Sequence, residues 1–419
     1  MFAVEKDAMA FETFRANFLE RGAKHRFAWP DWLPQGPLRV EEVLERKPRE
    51  LARLRGQVDL LAGGPPCQGF SSAGRRNHLD PRNRLFEQYI HFVKAVQPSL
   101  VVFENVPGMQ IAHGASHSKS GDKNLAGSTS FFDMLFDSFP SGYDLLWTIH
   151  DASKFGVPQR RDRLIVLGMR QDIAARLANG IDRFLELIDF AREAQLTELG
   201  LSDHTTCKAA LSDLEVDGST LKPSTDPMSQ GGYLEVSYRK PRTAYQRLMN
   251  DSTMPSDMDS MRLTKHTAAV EKRFRKILAE CPKGVRMNET YRAKFGILKH
   301  RNYPMDPGQP GPTLTTLPDD ILHYSEPRIL TVREYARLQS FPDWFRFRGK
   351  FSTGGAKRAL ECPRYTQIGN AVPPLLARAI GIAAARVLKE SESPAAWRKI
   401  AKAARLDEST GLLEAAEAL

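Results

Sequence analysis

Three short apolar runs, 58–62 (VDLLA), 99–104 (SLVVFE) and 163–169 (RLIVLGM), constrain this chain more than any other feature, because each is rich in branched residues and stops at a turn or a polar group. Runs of that length and kind are expected to be strands buried on both faces of a parallel sheet. Between the first two lies 84–96 (RLFEQYIHFVKAV), where Leu85, Tyr89, Phe92, Val93 and Val96 recur at the three- and four-residue spacing of one helix face. Strand, helix, strand is a βαβ unit, and the class that follows is α/β with a mostly parallel sheet. In open sheets of this kind ligands lie at the carboxyl ends of the strands, and segments 63–71 and 104–108 fall there.

Elsewhere the pattern loosens. Residues 110–129 are polar, small and rich in Gly and Ser, which predicts a loop leading to a helix near 130–138. From about 171 to 325 the alternation of strands and helices becomes irregular, no internal repeat is found, and a second domain is expected. A helix returns at 331–340 (TVREYARLQS), with Thr331 as its cap and Glu334 closing a capping box. A last long apolar helix is expected from about 374 to 389, and the Ala-rich tail beyond Ser391 is expected to pack on the surface. The length of 419 residues fits one large domain and one of moderate size.

The first twenty residues carry Glu5, Lys6, Asp7, Glu12, Arg15 and Glu20, and no run of 18 apolar residues occurs, so neither a secretory signal nor a membrane span is read from the sequence. Four cysteines, at 67, 207, 281 and 362, form no C-x-x-C pair, which argues against a disulfide framework and a zinc site. The net charge of +10 is uneven: residues 235–301 hold 16 Lys+Arg against 7 Asp+Glu. Such a stretch is either a solvated surface or a phosphate-binding face.

Chemistry concentrates where the strands end. In Gly63-Gly64-Pro65-Pro66-Cys67-Gln68-Gly69-Phe70-Ser71 a stiff Pro-Pro turn carries a thiol to the edge of the expected crevice. A free cysteine is commonly a small buried hydrophobe, but a positioned thiolate is also an intrinsically good nucleophile. Glu104, in Glu104-Asn105-Val106-Pro107, ends the next strand and brings a carboxyl group to the same edge, as a surface or capping residue or as a proton carrier. Gln159-Arg160-Arg161-Asp162-Arg163 precedes the third strand, and alternation aims Arg161 and Arg163 to one side, toward a substrate or into an ion-pair cluster with Asp162.

These three segments, in this order, resemble the family of DNA cytosine-5 methyltransferases. Arg328–Pro342 (RILTVREYARLQSFP) and Gln367–Pro374 (QIGNAVPP) are similar to the family's last two blocks, so the resemblance spans nearly the whole chain apart from its irregular middle. It implies a Rossmann-like fold for S-adenosylmethionine-dependent methyl transfer, with a smaller target-recognition domain. It also implies that Cys67 adds to position 6 of a flipped-out cytosine, that Glu104 engages ring nitrogen 3, and that Arg163, with Arg161 beside it, holds the carbonyl oxygen at position 2. Segment 71–84 resembles the family's closing loop, and its Arg75, Arg76, Arg82 and Arg84 suit it to DNA phosphates. The boundaries implied are a catalytic domain at 1–170, target recognition at 171–325, and a return to the catalytic domain at 326–419. Tyr233, Tyr238, Tyr245, Asn250, His266 and Tyr291 in the middle region are able to stack on or read bases, and none is assigned.

For the cofactor, S-adenosylmethionine, the resemblance implies Glu5 at the ribose hydroxyls and Pro66, Leu85, Asn370 and Val372 around the rest of the pocket. Two departures stand out. The family's opening D-L-F-x-G-x-G-G turn is not found before the Val4-Glu5-Lys6-Asp7 block, so a truncated or mis-started chain is expected, with a split enzyme or a non-catalytic DNA-binding remnant as alternatives. Pro37 stands where an acidic residue usually meets the adenine. Gly69 and Ser71, where the tRNA-modifying branch carries Pro and Thr, favour DNA as substrate. The partners implied are duplex DNA, met as a monomer, and a cognate restriction endonuclease linked by function; the setting implied is a bacterial cytoplasm, with no membrane.

Overall fold

A computed structural model describes residues 1–65, 85–110, 131–216, 221–229, 231–251, 253, 258–351 and 361–392. The chain divides into two compact units, one of Met1–Ala52, Ile149–Leu164 and Arg192–Ala379, the other of Arg53–Thr148, Ile165–Ala191 and Ile380–Leu419. These units follow packing, whereas the boundaries at 170 and 325 are divisions by motif.

The principal sheet has four strands, β1 (Leu60–Gly63), β2 (Leu100–Asn105), β3 (Tyr143–Asp151) and β4 (Asp162–Arg170), in the order β1-β2-β4-β3. β1 and β2 run parallel, with Leu60 opposite Leu100 and Gly63 opposite Phe103. The helix Leu85–Val96 joins them and buries Phe86, Tyr89, Ile90, Phe92, Val93 and Val96, which is the expected βαβ unit. Only Glu104 in β2 and the two end residues of β4 escape full burial, so these two apolar runs are strands covered on both faces, whereas β1, read as buried from the sequence, has no buried residue and leaves Ala62 exposed.

β3 was not anticipated. Its sequence, YDLLWTIHD, has no continuous apolar run, because it lies at the end of the strand order and leaves Trp147 and Ile149 more than 40% exposed. An edge strand follows the periodicity of a half-covered surface, which is weaker than that of a central strand. The helix Phe131–Ser138 covers part of it, with the Phe132 ring 5.3 Å from Trp147.

In the other unit the helix Ala8–Phe18 begins at Asp7, whose Oδ1 accepts from the N–H groups of Met9 and Ala10 at 2.8 and 3.0 Å. The helix Val332–Leu338 has both bonds of the expected capping box, Thr331 with the Glu334 N–H and Glu334 with the Thr331 N–H. The expected last helix is Pro374–Glu392. Two small clusters are found among the described residues of the middle region. One gathers Leu214, Val236 and Met261; the other gathers Ile277, Cys281, Met287, Phe295 and Leu322. Among the described residues no single helix is long and apolar enough to cross a membrane.

Candidate active site

The carboxyl ends of β1 and β2 are joined by side chains that leave no room for substitution. An ideal Cβ placed on Gly63 would sit 2.7 Å from the buried Tyr89 ring, and one on Gly64 would sit 2.7 Å from Glu104 Oε2 and would make that carboxylate move. Tyr89 reaches across both strands and donates to the carbonyls of Leu61 and Val102, each at 3.1 Å. Asn105 ties the two strand exits together: its Nδ2 donates to the Pro65 carbonyl at 3.1 Å, and its Oδ1 accepts from the Val106 N–H at 2.9 Å. The Glu104 carboxylate therefore stands against the backbone three residues before Cys67 in the chain. Cys67 and Pro66 themselves lie outside the described residues, as do Arg75, Arg76, Arg82 and Arg84. Leu85 opens the connecting helix and is half-buried.

Arg161 and Arg163 have different surroundings although two residues apart. Arg161 is 1% exposed, and its guanidinium donates to the carbonyls of Leu314 (2.9 Å), Gly369 (2.6 Å) and Ala371 (3.3 Å). Its charge is directed into backbone dipoles, so its role is to position the 369–371 turn. A guanidinium donating to three carbonyls of its own chain is suited to holding that turn. Arg163, 7% exposed, donates from Nη1 to the Asp162 carbonyl at 2.7 Å.

The same turn is held from other directions by residues that sequence reasoning passed over. Gln339 Nε2 donates to the carbonyls of Ile368 and Ala371, both at 2.9 Å, and its Oε1 accepts from Gln159 Nε2. Gly369 packs directly on the chain at Thr315: a Cβ there would lie 2.2 Å from the Thr315 carbonyl oxygen. Tyr335 Oη donates to that same oxygen at 2.9 Å. The exposed Asn370 and half-buried Val372 are thus carried on a turn whose carbonyls are pinned by Arg161 and Gln339. Gln159 and Gln339 both lie inside quoted motifs, Gln159 at the head of a charged run and Gln339 after the apolar Leu338.

In the same unit Glu5 is half-buried, and its Oε1 accepts from the Asp7 N–H at 2.7 Å. Burial is the main reason its pKa is raised, with the nearby Asp7 charge adding to it. The Glu5 carbonyl accepts from the Leu38 N–H at 2.8 Å, which sets the 37–38 segment beside it. A half-buried acceptor carboxylate matches the hydroxyl pair of a ribose in donor sense, so the residue fits the adenosine part of S-adenosylmethionine. Among the described residues no group of His, Cys, Asp and Glu is arranged to hold a metal ion.

An α/β sheet whose β1 and β2 run parallel, with a carboxylate and glycines at those strand ends, defines a class, and the comparisons narrow it. The model of the C-5 cytosine-specific DNA methylase family matches residues 1–385. The type II methyltransferase M.DdeI of Desulfomicrobium norvegicum is 31% identical over 391 residues, covering 91% of this chain and 81% of that protein. M.XorII of Xanthomonas oryzae pv. oryzae is 30% identical over 393 residues, covering 89% and 78%. A crystal structure described as a DNA modification methyltransferase encoded within an E. coli prophage shares the fold, with a TM-score of 0.55 at 24% identity over 93% of this chain and 92% of that one. The chain belongs to the C-5 cytosine-specific DNA methylases. Its fold is the Rossmann-like fold of S-adenosylmethionine-dependent methyltransferases, and S-adenosylmethionine is the cofactor of its class.

Proposed function

We propose that this chain methylates carbon 5 of cytosine within a short duplex DNA sequence, as the modification enzyme of a bacterial or phage restriction–modification system. The observation that carries the reading is the placement of the Glu104 carboxylate, with Oε2 2.7 Å from where a Gly64 Cβ would stand, at the parallel strand ends that lead into Pro66-Cys67.

Position 5 of cytosine is too weak a nucleophile to be alkylated directly. Addition of the Cys67 thiolate to position 6 breaks the ring's 5,6 double bond and moves the electron pair toward position 5, while Glu104 holds a proton at nitrogen 3. Arg163 binds the oxygen at position 2 and favours the charge that accumulates there. S-adenosylmethionine, when bound, supplies an electrophilic methyl group. Loss of the proton at position 5 to water or a nearby base restores the double bond and expels the Cys67 thiolate. By the family resemblance Glu5 would meet the ribose of the cofactor and Pro66, Leu85, Asn370 and Val372 its remainder, and Arg161 with Gln339 holds the turn that bears Asn370 and Val372.

The basic stretch 235–301 lies within the expected target-recognition region at 171–325, and its charge suits phosphate contacts of a monomer on duplex DNA. The test is covalent trapping: the wild-type chain, with cofactor, is expected to form a denaturation-resistant adduct on duplex DNA containing 5-fluorocytosine, and Cys67→Ala none. An adduct that persists in Cys67→Ala would remove the nucleophile from the mechanism. Duplex binding without any adduct or methylation by the wild type would leave a DNA-binding protein without catalysis.

A further inference from the structure

Arg161, Arg333, Arg337 and Arg364 are all buried, and each donates to acceptors of its own chain. Arg262 departs from that pattern. Its backbone is fixed beside the short strand Leu234–Val236, where it stands opposite Glu235, with the Val236 N–H on the Met261 carbonyl at 3.2 Å and the Leu263 N–H on the Leu234 carbonyl at 2.9 Å. Its half-buried guanidinium is held between two rings, the central carbon 4.1 Å from the Tyr233 centroid and 4.0 Å from that of Phe351. Yet Nε is buried without a partner, and neither terminal nitrogen has an acceptor among the described residues. The carboxylates nearby are already taken: Glu235 pairs with Lys222 at 3.3 Å, and Asp226 accepts from Arg364 at 2.6 and 3.1 Å. Burial accordingly lowers the pKa of Arg262, against the pull of Tyr233, Tyr365 and Asp226. Lys265, exposed and 4.6 Å from the Tyr233 centroid, has no carboxylate partner among the described residues either.

A guanidinium whose donors find no acceptor in its own chain is matched by one from outside. With both faces against rings and Nε enclosed, the terminal pair of nitrogens is the part left to reach out. Two partners in duplex DNA offer paired acceptors to such a fork, a phosphate and the O6 and N7 edge of guanine. The fixed plane favours guanine. Phosphate oxygens point in several directions and are met well by a flexible ammonium such as that of Lys265, whereas the base edge requires a coplanar fork. The stack has set that plane before the DNA arrives, so little ordering entropy is lost on contact.

We propose that Arg262 is a specificity residue that reads one guanine of the target sequence, its terminal nitrogens donating to O6 and N7 while Tyr233 and Phe351 hold its plane. The proposal rests on the reading of this chain as a protein that acts on duplex DNA. The probe is the set of duplexes that the full wild-type chain selects from a random pool. Arg262→Lys keeps the charge and loses the planar fork, and it is expected to lose about a tenfold preference for guanine at one position while the other positions and the salt dependence of binding stay as they are. A measurement on the wild type alone needs no variant: 7-deazaguanine at that position, which lacks the N7 acceptor, is expected to weaken binding about tenfold, and to leave Arg262→Lys unaffected. Tyr233→Phe keeps the ring and is expected to keep the preference. Weakening of all sequences alike with a shallower salt dependence would make Arg262 a phosphate contact and overturn the proposal. Unchanged selectivity in Arg262→Lys overturns it as well, as does a wild type indifferent to 7-deazaguanine at every guanine or a target sequence without guanine. Failure of the wild type to bind any duplex overturns the functional reading instead.

Discussion

At the carboxyl end of β2 a single carboxylate, Glu104, stands half-buried against the backbone of a glycine, whereas in the helix Val332–Leu338 every residue is buried, Arg333, Glu334 and Arg337 included. Arg337 donates to Asp343, Asp213 and the Ala210 carbonyl through five hydrogen bonds of 2.6 to 3.1 Å. Burial alone would pull its pKa down, yet Asp343 and Asp213 hold it above the ordinary arginine value. The contrast teaches that charge by itself does not mark a functional group. Arg337 is bonded throughout to groups of its own chain, and in its bonds to the carbonyls of 314, 369 and 371 Arg161 resembles it.

The sharpest way to break this comparison is Arg337→Ala, which leaves Asp213 and Asp343 buried without their cation and is expected to cost about 3–5 kcal/mol of stability. Arg378→Ala is the control, because its pair with Glu198 is substantially exposed and is worth about 0–1 kcal/mol. Urea unfolding of both variants decides the matter: equal midpoints would mean that the buried network is no scaffold. Glu104→Gln is expected to do the reverse, leaving the unfolding midpoint close to wild type while lowering kcat by roughly 10²–10⁴-fold. A Glu104→Gln enzyme with wild-type turnover in a labelled-methyl assay would return that carboxylate to the structural group.

The capping box at Thr331 and the run of apolar residues in β2 were legible because both are written in neighbouring positions. The burial of the 332–338 helix was not, since the partners of its arginines sit at 213, 259 and 343, and nothing local distinguishes an arginine that meets a distant aspartate from one that meets water. The same holds for Arg161: alternation placed it beside Arg163, and only the fold reveals the carbonyls of 314, 369 and 371 that accept its hydrogen bonds. Likewise Glu104 and Gly64 were legible as one edge because a parallel βαβ unit brings consecutive strand ends together whatever else the fold does.

A smaller effect separates the regions by pH. His323 is fully buried; its Nδ1 accepts from the N–H groups of Ser325 and Glu326 at 3.2 Å, and its Nε2 faces Glu334 at 3.7 Å. Burial, with Arg328 and Lys283 adding to it against Glu334, pushes its pKa down from 6.5 to about 3. Placing a proton on Nδ1 would oppose two donors already aimed there. The unfolded chain takes up that proton below pH 6.5 and the native chain does not until about pH 3, so the unfolded state binds more protons across this window. Stability is expected to fall as pH drops through it, and His323→Asn to flatten that part of the profile in urea unfolding at pH 7, 6, 5 and 4. A slope unchanged in the variant would assign the acid sensitivity to the carboxylates.

Glu5 tests the comparison from the side of the ligand. Its carboxyl is half-buried like Glu104 and has one oxygen on the Asp7 N–H, which places it between the scaffold and the chemistry. Ribose hydroxyls donate more strongly to the ionised carboxylate, which accepts at both oxygens, than to the protonated one, so binding of the cofactor favours loss of the proton. Because burial raises the carboxyl's pKa, that proton returns at a higher pH than in an ordinary glutamate, and the KM for S-adenosylmethionine is expected to rise as pH falls through that raised value. Glu5→Gln is expected to raise this KM about tenfold at neutral pH, the loss of one charged hydrogen bond, and to abolish its acid dependence while kcat stays within about twofold. A fall in kcat at unchanged KM would move Glu5 out of cofactor binding and into the same group as Glu104.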